Sequence, residues 1–171
     1  MRVTFQAPGY ESDRLSASIA RILTANALCS MATRTAGGTL HINTAFFCFG
    51  RDLAFYFLSR PDSLHCHNLT RVAQMAVAVF DSRQRWGDPH AGLQLVGTGG
   101  LASPDAAHEA HELYGARFPR YREVLPGVGA EQPQSFRLGR LRFYRFVPDR
   151  VQILDECEFG EEVFISARIL R

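Results

Sequence analysis

The sequence contains no lysine; all nineteen of its basic residues are arginines. They are dispersed rather than grouped and leave a formal net charge of only +2. No segment therefore resembles the basic arm of a nucleic-acid-binding protein or a patch for an anionic membrane. Long apolar runs are also missing: about 18 consecutive apolar residues would be needed to span a bilayer, and none occur. The opening Met-Arg-Val-Thr-Phe lacks the apolar core of a signal peptide, which predicts a cytoplasmic protein. The four cysteines, Cys29, Cys48, Cys66 and Cys157, form no C-x-x-C pair, and three of them lie in apolar runs. Reduced thiols acting as small buried hydrophobes are expected there, not a disulfide framework. Neither a Ser/His/Asp order nor a Cys/His pair supports nucleophilic catalysis, and Cys66 between two histidines is a weak thiol candidate. No catalytic residue is assigned.

What is present suits one compact domain: 171 residues, 46% apolar and 21% charged, enough to build a real core. Ser12-Asp13 followed by Leu15, Ile19, Ile22 and Leu23 predicts a one-sided helix over about 13–26. Leu28 to Arg34, Thr39 to Phe49 and Leu53 to Ser59 read as three antiparallel strands, separated by Ala36-Gly37-Gly38 and Gly50-Arg51-Asp52. The second and third are almost continuously apolar, so both faces should be covered, one by a barrel interior and the other by a helix or a partner subunit. A short helix is predicted over Ser63–Arg71, with Asp62 or Ser63 capping its first-turn amides. Strands follow at Ala73–Asp81 and Gly92–Leu101. Ser103-Pro104-Asp105 starts a helix reaching about Arg117, because it combines a capping hydroxyl, a proline at the first helical position and an acid near the positive end of the dipole. Pro126 to Pro133 reads as a loop, and Leu141–Val147 and Val151–Leu154 read as the last strands, joined by a turn at Pro148-Asp149-Arg150. The barrel core is expected at about 28–155 and a tail at 156–171.

The segment from Phe57 to Leu69 carries the most chemistry. A strand running into a helix start supplies backbone amides, a positive dipole end and the hydroxyls of Ser59 and Ser63, with His65 and His67 able to add charge, so it makes a plausible phosphate cradle. Ordinary helix capping uses the same residue types, and this segment alone does not separate the two. His65 and His67 are two apart and point to different sides of a helix, and His108 and His111 are spaced i, i+3 where the zinc-protease helix needs i, i+4. No metal site is expected. Gln94 places one amide in an apolar strand that ends in Gly97, Gly99 and Gly100; it is either a ligand contact or an edge-strand surface residue.

In order, Asn43-Thr-Ala-Phe-Phe47, Phe55-Tyr-Phe-Leu-Ser59, Ser63-Leu-His-Cys-His-Asn-Leu69, Met75-Ala-Val-Ala-Val79 and Gly92-Leu-Gln-Leu-Val-Gly97 resemble the pyridoxamine-5′-phosphate-oxidase-like FMN-binding split barrels. Arg117-Phe-Pro119 and Arg142-Phe-Tyr144 look like a small bacterial branch of that superfamily. The resemblance implies a mainly β fold with flanking helices, a six-stranded Greek-key split β-barrel that pairs as a homodimer with FMN between subunits. It places the flavin contacts on Asn43, Thr44, Ala45, Phe46, Leu58, Ser59, Ser63, Leu64, His65 and Gln94. Where relatives commonly carry a phosphate-binding Arg or Lys, this chain has Asn43, Leu64 and His65, so fixed positive charge is largely missing from those positions. The acidic tail 156–171 has no match to the basic residues that grip the substrate phosphate in pyridoxamine-phosphate oxidation, so that activity is not expected. An FMN-dependent oxidoreductase or flavin reductase acting on a small molecule is the leading expectation. The alternatives are a non-catalytic binder of haem, deazaflavin or another planar ligand, with His41, His65, His67 or His90 as axial candidates, and a cofactor-free interaction dimer.

Overall fold

The computed structural model describes residues 1–124 and 140–171; the loop predicted at Pro126–Pro133 lies outside them. Eight strands and five helices follow one another as β1 (Thr4–Gln6), α1 (Ser12–Ala25), β2 (Leu28–Arg34), β3 (Leu40–Phe49), β4 (Phe55–Ser59), α2 (Leu64–Arg71), β5 (Gln74–Phe80), β6 (Ala91–Leu101), α3 (Pro104–Arg117), α4 (Pro119–Val124), β7 (Arg142–Asp155), α5 (Glu156–Phe159) and β8 (Phe164–Leu170) among the described residues. The sheet order is β1-β8-β7-β4-β3-β2-β5-β6, and a further β6–β7 pairing closes the six strands from β2 to β7 into an antiparallel barrel. This is the expected split barrel with flanking helices.

Alternation builds the interior. Cys29, Met31 and Thr33 of β2 and Met75, Val77 and Val79 of β5 point inward, while their neighbours face out. Phe47, Phe55, Phe57 and Phe146 fill the centre with 1% exposure or less. The apolar face of α1, with Leu15, Ile19, Ile22 and Leu23, packs into the same core. On the outside, α3 lays Ala110 and Tyr114 against Cys48, Tyr56 and Phe143. This is the helical cover that the doubly apolar runs of β3 and β4 required. Ser103 caps α3 as its sequence predicts, its Oγ accepting from the Ala106 amide at 3.3 Å. At the far end of α3, Arg117 donates to the carbonyl of Leu23 at 2.7 Å and to that of Asn26, and lies 4.7 Å from the Phe47 ring centroid. One guanidinium thereby closes the C-terminus of α1 and rests on the core.

Several expectations need correction. The predicted Pro148-Asp149-Arg150 turn is no turn; residues 142–155 form one strand of 14 residues. Its register against β6 shifts between Val96 and Gly97, so that Val96 pairs with Arg150 and Gly97 with Pro148, which leaves Asp149 as the extra residue of a bulge. Proline has no amide to give to the ladder, and a bulge is where a strand tolerates it. The third strand starts at Phe55 and not Leu53, because Leu53 takes φ 59° in the preceding turn. The tail carries β8, which pairs with β7 from Arg150 to Leu154, and the short β1 adds to its other side. β8 thus lies between two neighbours, and β1, with only three residues, is the edge strand.

Candidate functional site

The polar constellation forms where β4 ends and α2 begins. Ser59 is the last residue of β4 and its parity directs it inward beside Phe57. Its Oγ lies 2.6 Å from His65 Nε2 and 3.2 Å from Ser63 Oγ, and Ser63 Oγ is 3.2 Å from the same ring nitrogen. Ser63 gives its own proton to the Arg60 carbonyl at 2.8 Å, so within the cluster its oxygen accepts. This corrects the capping expectation. Ser63 sits at the N-cap position with φ −74° and ψ 152°, but its side chain makes no cap hydrogen bond, so it leaves the first-turn amides of α2 to other acceptors.

The anchoring of α2 is firm. Cys66 and Leu69 enter the core, and the buried Asn68 donates from Nδ2 to Thr33 Oγ1 at 3.0 Å. His67 is exposed on the opposite side of the helix, as its spacing from His65 requires. His65 is half-buried, and that burial lowers its pKa from the ordinary 6.5, which favours the neutral imidazole. His41 of β3 stacks on it with ring centroids 6.2 Å apart and planes 3° from parallel, and Phe57 stands 6.3 Å away.

Strand parity divides the other predicted residues. Asn43 and Ala45 share the inward-leaning face of β3 with His41, whereas Thr44 and Phe46 are exposed on the outer face. The Asn43 Oδ1 is buried without a hydrogen-bond partner, an acceptor that a ligand donor would satisfy. Leu58 packs with the outer cluster under α3, and Leu64 is 52% exposed at the helix start. Gln94 lies on the outer barrel face in a cross-strand row with Thr44, Ser30, Ala78 and Gln152. Two strands separate Gln94 from Thr44, so a single chain brings together Ser59, Ser63 and His65 but holds Thr44 and Gln94 on a different surface.

His41 belongs to this group on geometry but was not among the predicted flavin contacts. Its signal was available: it stands two residues before Asn43 on the same strand, hence on the same face. The nearby Arg60 is held by Asp62, with Nε to Oδ1 at 2.9 Å, and Arg34 donates to Gln74 at 3.2 Å. Burial pushes the Cys29 and Cys48 thiols up to about 12, which leaves them inert as nucleophiles at neutral pH. Among the described residues no three His, Cys, Asp or Glu side chains gather as a metal site, and His111 Nδ1 lies 3.0 Å from the Tyr121 hydroxyl. No helix among them is long and apolar enough to cross a membrane.

Comparison with known proteins places this architecture. The family model described as pyridoxamine 5′-phosphate oxidase matches residues 15–155 and so stops short of the acidic tail. No curated protein matches the chain. Among solved structures, the chain resembles the heme storage protein HutZ from Vibrio cholerae, at 16% identity over 79% of this chain and 90% of that one, with a TM-score of 0.61. It resembles a heme binding protein from Mycobacterium smegmatis at 15% identity and a TM-score of 0.67, over 90% of this chain but only 57% of that one. A pyridoxamine 5′-phosphate oxidase-related, FMN binding protein from Nostoc punctiforme matches at 14% identity and a TM-score of 0.54, over 97% and 98% of the two chains. At such identities the structures speak for the fold, and the match over residues 15–155 speaks for the lineage: the chain belongs to the pyridoxamine 5′-phosphate oxidase family.

Proposed function

We propose that the protein binds FMN at the α2 end of its barrel, as a homodimer, and acts as a flavin-dependent oxidoreductase or flavin reductase on a small molecule. The observation that carries this reading is the convergence of Ser59, Ser63 and His65 at a helix start whose capping side chain turns away from the first-turn amides. Those amides and the Ser59 hydroxyl suit phosphate oxygens, which only accept. The buried Asn43 Oδ1 suits a ligand that also donates, as ribityl hydroxyls do. FMN supplies both groups, and its ring brings the electron-carrying chemistry when bound. This chain's residues then hold the phosphate end and orient the rest.

The homodimer has support on the outer face. Two adjacent cross-strand rows, Thr44-Ser30-Ala78-Gln94 and Ile42-Ala32-Ala76-Val96, present small side chains between Ile42 and Val96, which are 71% and 52% exposed. A second copy could approach the backbone closely there, and it would bring its own Gln94 toward the partner's site. Phe46, 53% exposed on the same outer face, adds to this surface, whereas Phe55 and Phe57 are buried within one chain.

A haem-binding reading is favoured by one observation, the parallel His41 and His65 imidazoles, of which His65 is kept neutral by burial as an iron ligand requires. The visible spectrum of the purified protein decides between the two. Flavin bands near about 370 and 450 nm are expected, because the cofactor carries the chromophore. A Soret band would overturn FMN in favour of haem, and a colourless protein that takes up neither ligand would leave an interaction dimer.

The pH dependence of FMN binding is a second test. Affinity should rise as pH falls through the histidine range, because imidazolium binds phosphate better than imidazole does. The lowered pKa of His65 moves the plateau below 6.5. The sign for stability is opposite: without ligand a histidine depressed by folding loses stability as pH falls below its unfolded value. Titrations from pH 5 to 8 should show the slope in the wild type and its loss in His65→Ala. Ser59→Ala should weaken binding by about 1 kcal/mol at every pH, the net value of one hydrogen bond. Unchanged affinities in both variants would move the phosphate elsewhere.

A further inference from the structure

We infer that the second copy docks with its strands reversed on the outer face of β6, β7 and β8, so that the basic end of each protomer meets the acidic, Trp86-bearing end of its partner. This rests on the homodimer reading above. Three cross-strand rows define the face: Gly92-Leu154-Phe164, then Gln94-Gln152-Ser166, then Val96-Arg150-Arg168. Successive rows lie about 7 Å apart along the strands. The third row continues the row of Ile42, Ala32 and Ala76 through Val96, so this face is one surface with the contact already proposed.

Its two ends carry opposite charges that one chain leaves unmatched. Arg150 and Arg168 are directly opposed across β7 and β8, a like-charge pair that costs stability in a lone chain. Arg150 has its neighbour Asp149 at 3.6 Å, whereas the Arg168 guanidinium has no ion pair or hydrogen bond among the described residues. At the other end, beyond Phe164, a depression of about 740 Å³ is lined by Trp86, Asp88, Glu161 and Glu162. None of these three carboxylates has an ion pair among the described residues, and the loop sets one unpaired arginine, Arg85, against them. The loop is braced at its base. The Glu156 carboxylate accepts from the His90 amide at 2.7 Å and the Glu162 amide at 3.1 Å, and the Gln84 side-chain oxygen accepts from the Ala91 amide at 2.6 Å. Trp86, 97% exposed, is therefore a preorganised anchor of the kind that interfaces bury.

Charge selects the orientation. When a two-fold dimer packs this face on itself, the axis lies in the interface plane. An axis along the strands would set the Arg150–Arg168 row on its own copy, arginine row on arginine row. An axis across the strands near the Gln94–Gln152 row turns it onto the partner's Phe164 row and the carboxylates beyond, which neutralises both ends at once. Trp86 then comes to a depression of about 620 Å³ lined by Gln94, Gln152, Arg150 and Arg168 of the partner subunit, where guanidiniums suit the face of an indole.

The test pairs two variants of opposite sign, Arg168→Glu and the double variant Glu161→Arg/Glu162→Arg, in sedimentation velocity. Each alone should weaken the dimer about a hundredfold or more, because like charges then meet at both contacts. Mixed in equal amounts they should dimerise about as well as wild type, since both contacts regain opposite charges. Wild-type dimer affinity should fall with salt, and Trp86, the one tryptophan of the chain, should become shielded from acrylamide as the protein is concentrated. Circular dichroism should show both variants folded, because every substituted side chain is exposed; if either misfolds, the shielding of Trp86 and the salt dependence decide. Variants that dimerise like wild type, folded variants whose mixture stays monomeric, or a wild-type dimer with Trp86 as accessible as in the monomer would overturn the inference while the homodimer stood. Wild type that remains a monomer would overturn the homodimer and this inference together.

Discussion

Gly97→Ala should cost the fold about 4 kcal/mol, at the upper end of single-substitution effects, and lower the thermal midpoint by roughly 10 °C. A Cβ built on Gly97 would stand 2.2 Å from the Val147 carbonyl oxygen and 2.6 Å from Pro148 Cα. Both are backbone atoms, so no side chain can swing aside, and relief requires moving β6 or β7. These two strands close the barrel, and Gly97 sits at the register shift between them. The strain therefore falls on the seam. Gly100 is the control: it lies three residues along β6, where an added Cβ meets nothing within 4 Å. Gly100→Ala should be neutral or slightly stabilising, by up to about 1 kcal/mol, because alanine restricts the unfolded chain. Urea and thermal denaturation of both variants measure the difference, and a Gly97→Ala protein within 1 kcal/mol of wild type would show that the bulge is more pliable than its geometry implies.

Ile42→Asp should convert a micromolar dimer into a monomer that remains folded. Ile42 is 71% exposed in the single chain, so folding loses little, whereas a two-fold interface on the outer face buries each substituted position twice. Two carboxylates desolvated near one another cost several kcal/mol, a loss of about a hundredfold or more in dimer affinity. A stable dimer of this kind buries at least about 1,200 Å² in total, and the small residues flanking Ile42 are what allow so close an approach. Sedimentation velocity reads the outcome directly. If FMN lies between subunits, its affinity should fall with the dimer, so Ile42→Asp separates an interface site from one complete in each chain. Wild type sedimenting as a monomer at micromolar concentration would remove the dimer and leave Gln94 without a role in the site.

Most elements were legible because local signals and tertiary packing agreed. The cap at Ser103 and the proline at 104 place the start of α3 from five or six residues of chain, and the observed cap has the expected donor and acceptor. The apolar periodicity of Leu15 to Leu23 and the near-continuous apolar runs of β3 and β4 likewise named their elements and the covering of both faces. Where local chemistry and tertiary context disagreed, the context won. Pro148-Asp149-Arg150 has the composition of a turn, yet each side of it is hydrogen bonded to the same strand, β6, and the ladder carries the chain straight through with one residue bulged out. Ser63 has the composition of a cap, yet its hydroxyl is drawn to the Arg60 carbonyl and to His65.

The sequence by itself determined the series of strands and helices whose likeness to a known family implied the split barrel, the apolar setting of three of the cysteines and the segment from Ser59 to His65 as the place to look for anion-binding chemistry, because each of these is read from residues near one another in the chain. Only the tertiary structure decided which residues meet there. That His41 stacks on His65, that Asn43 turns its amide oxygen inward while Thr44 faces out, and that Arg142 stands opposite Ser59 across more than eighty residues of chain follow from strand register. Register is set by the closure of the whole barrel, and a slip of one residue would send every one of those side chains to the other face.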